Sequence, residues 1–391
     1  MADTLDLFAG YDIISIVGGG GKTSLTFALA EKFKALGRVV AITTTTRMRH
    51  VSPKTHHCVD FVVRDSVIYD STVSFKENLN MIATNRLLLQ KQCTQQGCPK
   101  IRKHKSTHDL SCSDGYSLHS SSERSLRIQS GIVGFISSGL YDGKEQGTSP
   151  QLACDLLDND LVDVVIIEAD GARGKPLKAA LSYRDPVIPT KFPHSFSYQY
   201  QSSPSIANYK SCFVCMVGAD ALGAKLTEKN VYRHDIVARI LKIPPKSVIT
   251  PDHISKLIFH PKRGYVWPIM TFSKKEMHVK KVSIVVFLNK CDLIKDWNRD
   301  LWIGCGCSGH RGGHIGSPID VATESLTKEI RHMFSSSSFP KLSPTHHEVV
   351  TSQVIKAFFK DIPKEIEGSD GIFRVHKVAG SLKEGILRRL K

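Results

Sequence analysis

Four consecutive glycines followed by a lysine and a threonine are the first residues in the chain whose types and spacing suggest chemistry. The segment comprises Gly18–Gly21, Lys22, Thr23 and Ser24. Glycine allows backbone amides to approach phosphate oxygens closely, and the N-terminus of a following helix adds the positive end of its dipole. Lys22 would neutralise the β- and γ-phosphates, and Thr23 would ligate Mg²⁺. The segment predicts a nucleotide phosphate loop, with a flexible turn as the alternative.

The spacing within this loop differs from the common one. A standard phosphate loop has a glycine six residues before the lysine, and this chain has Ile16 there. Its first glycine, Gly18, comes only four residues before Lys22. The loop therefore predicts phosphate binding without indicating which base the nucleotide carries.

Two carboxylates end an apolar run in the segment VVIIEADGARGKPLKA, residues Val164–Ala179. At the carboxyl end of a parallel strand, Glu168 and Asp170 would face the ligand crevice, where a carboxylate can hold Mg²⁺ or orient an attacking water. Gly171 would let its amide approach a γ-phosphate. Glu168-x-x-Gly171 fits the Glu-x-x-Gly pattern of one branch of P-loop GTPases. The alternative is a strand-end turn with surface acids.

These residues give the predicted roles at the phosphate end of the site. Lys22, Glu168 and Asp170 are the candidate catalytic residues. Thr23, Glu168 and Asp170 are the candidate Mg²⁺ ligands. The second predicted strand ends in threonines rather than in an aspartate. Thr44, Thr45 and Thr46 are either further hydroxyl ligands for Mg²⁺ or simply good strand formers.

The tetrapeptide Asn289-Lys290-x-Asp292 follows another very apolar strand and matches the guanine-reading motif. An aspartate carboxylate accepts hydrogen bonds from guanine N1–H and the exocyclic amino group, which adenine does not offer in that arrangement. Asn289 can bond the base edge, and the Lys290 stem can cover the ring face. The motif predicts GTP rather than ATP as the ligand, bound with Mg²⁺. A polar strand-end loop is the alternative.

The elements that must position these motifs alternate between strands and helices. Such an order predicts a doubly wound, mainly parallel α/β sheet of the P-loop NTPase type, with helices on both faces and one domain over residues 1–391. The predicted strands are Ile13–Val17, Val39–Thr45, Gly131–Ser138, Val162–Ile167, Cys212–Val217, Val282–Leu288 and Val349–Thr351. The predicted helices are Thr23–Leu36, Ser149–Leu157, Asn230–Leu241, Asp252–Phe259, one starting at Val354, and an exposed basic helix over Leu382–Lys391.

Three polar segments interrupt this alternation. Residues 90–130 are rich in Ser, Lys, His and Gln and poor in large apolar residues, which predicts a disordered insert. Residues 194–209 and 301–317 are predicted loop insertions. The last of these holds Cys305, Cys307, His310 and His314, which are either transient metal ligands or incidental members of a Gly-rich loop.

The amino-acid composition limits the ligands and the location that we expect for this protein. The net charge of +16 favours polyanionic ligands, nucleotides among them. The positive charge is scattered along the chain, and no basic motif interleaved with aromatic residues indicates nucleic-acid binding. No apolar run is long enough for a membrane span, and the N-terminus lacks a signal pattern. We therefore expect no membrane association, a cytoplasmic location, and reduced thiols for the ten cysteines.

Several segments together resemble one family, the bacterial selenium-dependent hydroxylase accessory proteins of the YqeC-like type. They are SIVGGGGKTSL, AITTTTRM, VVIIEADGARGKPLKA, VGADALGAKLTEKNVYRHDI, ITPDHISKLIFHPKRG and VFLNKCDL. The resemblance implies a P-loop nucleotide-binding protein linked to the maturation of selenium- or molybdenum-dependent hydroxylases, with a protein client. More distantly, Glu-x-x-Gly with Asn-Lys-x-Asp resembles the GTPases that help to insert nickel into hydrogenase and urease.

The leading hypothesis is a Mg²⁺-dependent GTP-binding protein that hydrolyses GTP slowly and assists the maturation of such an enzyme or its cofactor. One alternative is an ATP-dependent enzyme, since the short Gly-x-x-Gly-Lys-Thr loop also resembles that of the amide-forming ligases of cell-wall synthesis. A second is a GTP-gated binding protein without significant turnover. A third, drawn from the charge, is an RNA-associated GTPase.

Overall fold

The computed structural model describes the N-terminal, central and C-terminal parts of the chain with gaps between them. The described residues are 5–65, 72–82, 131–180, 209–260, 263–267, 282–293, 355–356, 358–360, 362–368, 371–381 and 386–390. The insert 90–130, the metal-ligand candidates of 301–317 and the predicted strand Val349–Thr351 lie outside them, as do residues 194–208 of the other predicted loop.

The described residues include fifteen strands, β1–β15, and five helices, α1–α5. The strands are β1 (Ile13–Gly18), β2 (Val39–Thr44), β3 (Met48–Arg49), β4 (Phe61–Arg64), β5 (Ile132–Ser137), β6 (Leu140–Tyr141), β7 (Lys144–Glu145), β8 (Val164–Glu168), β9 (Leu177–Lys178), β10 (Ser211–Gly218), β11 (Val231–Tyr232), β12 (Val282–Asn289), β13 (Glu365–Gly368), β14 (Gly371–Ser381) and β15 (Ile386–Leu390). The helices are α1 (Lys22–Ala35), α2 (72–82), α3 (Leu152–Asp158), α4 (His234–Leu241) and α5 (Pro251–Ile258).

The largest sheet of the described residues has the strand order β13-β14-β12-β10-β1-β8-β2-β5-β4. All neighbours from β14 to β4 are parallel, whereas β13 and β15 pair with β14 in the antiparallel sense. β8 lies between β1 and β2, although it follows both in the chain. The predicted mainly parallel α/β sheet is therefore confirmed.

Both faces of this sheet are covered. In β1, Ile14 and Ile16 pack with the α1 residue Leu29, whereas Ile13 and Val17 pack into a second cluster that includes helical residues of α3, α4 and α5. A central parallel strand has an apolar residue at nearly every position because each of its faces meets a helical layer. The helices on both faces are compatible with the predicted doubly wound arrangement.

Two parts of the predicted secondary structure are wrong. Ile386–Leu390, within the predicted C-terminal helix, is strand β15 and pairs with β14. Val231–Tyr232, within the predicted helix Asn230–Leu241, is strand β11 and pairs with Leu177–Lys178. The helix α4 begins only after Arg233, whose φ of 60° is left-handed. In both cases strand pairing, with the preceding strand β14 for β15 and with the distant β9 for β11, outweighs the local preference for helix.

The sheet brings the ends of four strands together. β12, β10, β1 and β8 are adjacent and parallel, and their last residues are Asn289, Gly218, Gly18 and Glu168. The glycine loop therefore lies at the same edge as the acidic segment and the Asn-Lys-x-Asp motif. This edge is the carboxyl end of the strands, where open α/β sheets bind ligands. In the described part of the chain, no helix combines the length and apolarity that a bilayer span requires.

Candidate functional site

The centre of the site is an ion pair between the loop lysine and the second carboxylate of the acidic segment. Lys22 Nζ lies 3.1 Å from Asp170 Oδ1 and donates a 2.6 Å hydrogen bond to the carbonyl oxygen of Gly18. Both charged side chains are almost fully buried. Lys22 is the first residue of α1, so its ammonium group is held beside the start of that helix.

Asp170 has a second cationic partner that the sequence did not reveal. Lys178 Nζ lies 3.0 Å from Asp170 Oδ2, and the same oxygen accepts a 2.9 Å hydrogen bond from the Gly18 amide. Lys178 has no exposed surface. The only available signal was its position in the quoted segment Val164–Ala179, eight residues after Asp170. Asp170 therefore ties the glycine loop to two lysines.

Glu168 contacts the residue after the loop lysine. Thr23 Oγ1 donates a 2.8 Å hydrogen bond to Glu168 Oε2. Burial raises the pKa of the Glu168 carboxyl, and Asp170 adds to the rise, against the opposing effects of Lys22 and the Thr23 bond. A cation arriving beside Glu168 would favour its ionised form.

The candidate Mg²⁺ ligands differ in their surroundings. The Thr23 hydroxyl and the Glu168 carboxylate are adjacent hard oxygen donors of the kind that Mg²⁺ prefers, so they fit the ion. Both oxygens of Asp170 lie within 3.1 Å of an ammonium nitrogen. Asp170 is therefore placed to position the lysines rather than to ligate a metal. Among the described residues, no cluster of three or more His, Cys, Asp or Glu side chains could hold a metal ion.

The glycine loop is packed tightly against two neighbouring segments. A Cβ on Gly19 would lie 2.6 Å from the carbonyl oxygen of Lys175, and one on Gly20 would lie 2.3 Å from the Gly218 nitrogen. Gly20 also has a φ of +78°. These positions accept only glycine, because a side chain would meet backbone atoms that cannot move easily.

The amides of the first loop glycines point to protein acceptors. Gly19 N–H donates to the carbonyl oxygen of Met216, and Gly20 N–H donates to that of Lys175. α1 begins after Gly21 without a side-chain cap, so the amides of its first turn have no intrahelical acceptor. The first turn includes Thr23 and Ser24. The amides placed for an anionic ligand are thus those at the helix start, one step later than the glycine run alone suggested.

The Asn-Lys-x-Asp motif lies against the same loop. Asn289 Nδ2 donates a 2.7 Å hydrogen bond to the carbonyl oxygen of Gly20, and Asn289 is buried. Lys290 has a left-handed φ of 62°, and its Nζ lies 2.8 Å from Asp220 Oδ2. Asp292 falls in the short 3-10 turn Cys291–Leu293, and its side chain is outside the described structure.

Three candidates remain: Gly171, Thr44 and Thr46. A Cβ on Gly171 would meet no atom within 4 Å, so open space surrounds this residue. Thr44 Oγ1 donates a 3.0 Å hydrogen bond to the carbonyl oxygen of Glu168, which joins β2 to β8. The Thr46 hydroxyl is buried and has no hydrogen-bond partner among the described residues. The Thr44 side chain thus joins two neighbouring strands of the sheet.

Comparison with known proteins agrees with the family resemblance. Residues 14–197 match the family model described as YqeC protein, a stretch that includes the glycine loop, Glu168 and Asp170. The Escherichia coli (strain K12) protein named Uncharacterized protein YqeC is 28% identical over 298 residues, which cover 74% of this chain and 87% of that protein. No solved structure matches the chain. The two matches together support membership of this chain in the YqeC family.

Proposed function

We propose that this protein binds GTP with Mg²⁺ and hydrolyses it slowly. The observation that carries the proposal is the position of Lys22, a buried ammonium group at the uncapped start of α1. A lysine and a row of helix amides at one point favour a phosphate chain, because charge, dipole and donors all act on the same anion. An isolated turn would need none of these groups.

Mg²⁺ would be held by Thr23 and Glu168. When bound, the ion neutralises charge on the phosphate oxygens. The hydrogen bond between Thr23 and Glu168 keeps the two oxygen donors side by side before the ion arrives. In the proposal, the amide of Gly171, the residue after Asp170, approaches a terminal phosphate. Asp170 holds Lys22 in place.

Guanine selection is assigned to the end of β12. Asn289 is fixed to the loop through the carbonyl oxygen of Gly20. This bond places the motif directly beside the phosphate loop. In the proposal, Asp292 accepts from the guanine N1–H and amino group, and the Lys290 stem covers the ring.

The proposed biological role is accessory. The family resemblance supports a part in the maturation of a selenium- or molybdenum-dependent enzyme or its cofactor, with that enzyme or a pathway component as the protein client. In the described residues, the second strand ends in threonines where many GTPases place an aspartate. Slow turnover that a client accelerates is the expected behaviour.

A nucleotide competition experiment tests the proposal. The wild-type protein should bind GTP more tightly than ATP in the presence of Mg²⁺. Asp292→Asn should weaken GTP binding and improve the binding of xanthosine triphosphate, because the altered side chain matches the xanthine edge. Equal affinity of wild type for GTP and ATP, with no change in Asp292→Asn, would favour the ATP-dependent ligase. Tight GTP binding without phosphate release in a single turnover would favour the non-catalytic binding protein.

A further inference from the structure

Lys178 is a fully buried lysine to which the proposed function assigns no role. Charged side chains are rarely buried completely unless they are paired, and Lys178 has no exposed surface. Its Nζ lies 3.0 Å from Asp170 Oδ2. The other oxygen of the same carboxylate lies 3.1 Å from Lys22 Nζ. A single carboxylate thus lies between two lysines.

The backbone of Lys178 is fixed by one tyrosine. The Lys178 amide donates a 3.1 Å hydrogen bond to the Tyr265 hydroxyl, which donates a 2.9 Å bond back to the Lys178 carbonyl oxygen. Tyr265 is 1% exposed. A Cβ on Gly18 would lie 2.9 Å from a ring carbon of the same tyrosine. Tyr265 therefore fixes the backbone of β9 beside the glycine loop. The Lys178 side chain is thereby kept next to Asp170.

The two lysines differ in how they can move. Lys22 begins α1 and is bonded to a loop carbonyl and to Asp170, so a phosphate beside the helix start competes for its ammonium group. Once Lys22 turns to a phosphate, Asp170 loses one of its two cations. A buried charge left without any partner is strongly destabilising. Lys178 prevents that situation, because it remains on Asp170 Oδ2.

We propose that Lys178 is a positioning residue that allows Lys22 to exchange from Asp170 to a nucleotide phosphate. This inference rests on the proposed function and adds to it. Lys178 keeps Asp170 charged and in place throughout the exchange. Asp170 in turn keeps the Gly18 amide bonded and the glycine loop in its shape.

The test measures the binding of inorganic tripolyphosphate and of GTP with Mg²⁺ by calorimetry. Lys178→Met should weaken both by roughly 10- to 100-fold, because Lys22 must then leave Asp170 with no cation. Lys178→Arg should keep most of the affinity, since it restores the charge. Lys256→Met is the matched control and should bind as wild type does, because Lys256 pairs with Asp252 on the exposed face of α5.

A second comparison separates positioning from simple stabilisation. Adding Asp170→Asn to Lys178→Met removes the carboxylate that needs a partner, so the double variant should bind tripolyphosphate as tightly as Asp170→Asn alone. Melting temperatures are measured for every variant. If Lys178→Met does not fold, the comparison of the double variant with Asp170→Asn decides the matter, because both proteins lack the Asp170 carboxylate and differ only at residue 178.

The outcomes are distinct. Equal affinity of Lys178→Met and Lys256→Met would overturn the role of Lys178 while GTP binding stands. A double variant that binds more weakly than Asp170→Asn would also overturn it, since Lys178 would then act independently of Asp170. Wild-type protein that binds neither tripolyphosphate nor GTP would overturn the proposed function and this inference together.

Discussion

Asn289 is bonded through its side-chain amide to the carbonyl oxygen of Gly20 at 2.7 Å, although the two residues are 269 positions apart in the chain. The bond joins the end of β12 to the glycine loop at the end of β1, across the intervening strand β10. It connects the Asn-Lys-x-Asp motif directly to the glycine loop. A change in the loop should therefore also shift the position of the predicted base site.

Replacing Asn289 by alanine should lower both stability and GTP affinity. The Gly20 carbonyl would be left buried without this donor, which costs about 1–3 kcal/mol of unfolding free energy. Chemical denaturation measures that loss, and calorimetry measures binding. Asn159→Ala is the matched control, because Asn159 also donates to a backbone carbonyl but is exposed at the end of α3. A change of similar size in the control would contradict the assignment.

Lys22→Ala should remove nucleotide binding while leaving the fold intact. The lost group is the buried ammonium that the proposal assigns to the phosphates, and truncating such a charge costs about 2–5 kcal/mol of binding. Affinity for GTP should therefore fall by about 100-fold or more. Lys32→Ala on the same helix is the control, because Lys32 pairs with the exposed Asp6. GTP affinity that is equal in the two variants would rule out Lys22 as the phosphate lysine.

Gly20→Ala and Gly37→Ala form a matched pair that separates backbone strain from steric overlap. Their φ angles are +78° and +76°, so each variant should lose about 1–2 kcal/mol to left-handed strain. A Cβ on Gly37 meets nothing within 4 Å, whereas one on Gly20 meets the Gly218 nitrogen at 2.3 Å. Gly20→Ala should lose about 1–3 kcal/mol more. Equal melting temperatures would show that the loop can open to accept a side chain.

Acid should destabilise the protein partly through Glu145, which lies away from the candidate site. Burial alone would raise the pKa of this carboxyl, but hydrogen bonds from Arg64, the Val51 amide and the Ser137 hydroxyl outweigh it and lower the pKa below 4.5. A lowered folded-state pKa gives stability that is present above the unfolded-state value and is lost as the pH falls through the folded-state value.

In the Glu145→Gln variant, the free energy of unfolding should therefore fall less steeply as the pH drops below 4.5. The measurement is urea denaturation at a series of acidic pH values. Glu31→Gln, on the exposed side of α1, is the control and should keep the wild-type slope. If Glu145→Gln retains the full wild-type slope, other carboxyls carry the acid sensitivity.

The sequence by itself predicted six strands of the central sheet, β1, β2, β5, β8, β10 and β12, but not its strands β4, β13, β14 and β15. Apolar runs such as VVII in β8 and IVVFL in β12 can be buried only between two helical layers, and this pattern is local. Because the carboxyl ends of parallel strands meet at one edge, the spacing of the motifs also predicted that the glycine loop, the acidic pair and Asn289 would meet there. The structure places them at that edge.

The tertiary structure alone decided the strand order and the partners within the site. Nothing local in β8 specifies that it pairs between β1 and β2. Lys178 is the clearest case, because a lysine in a loop segment is ordinarily solvated. Lys178 can be buried because Asp170, eight residues earlier, and Tyr265, from a distant part of the chain, both contact it. Burial of a charge is fixed by the groups that surround it in space, and the chain brings those groups together only when it folds.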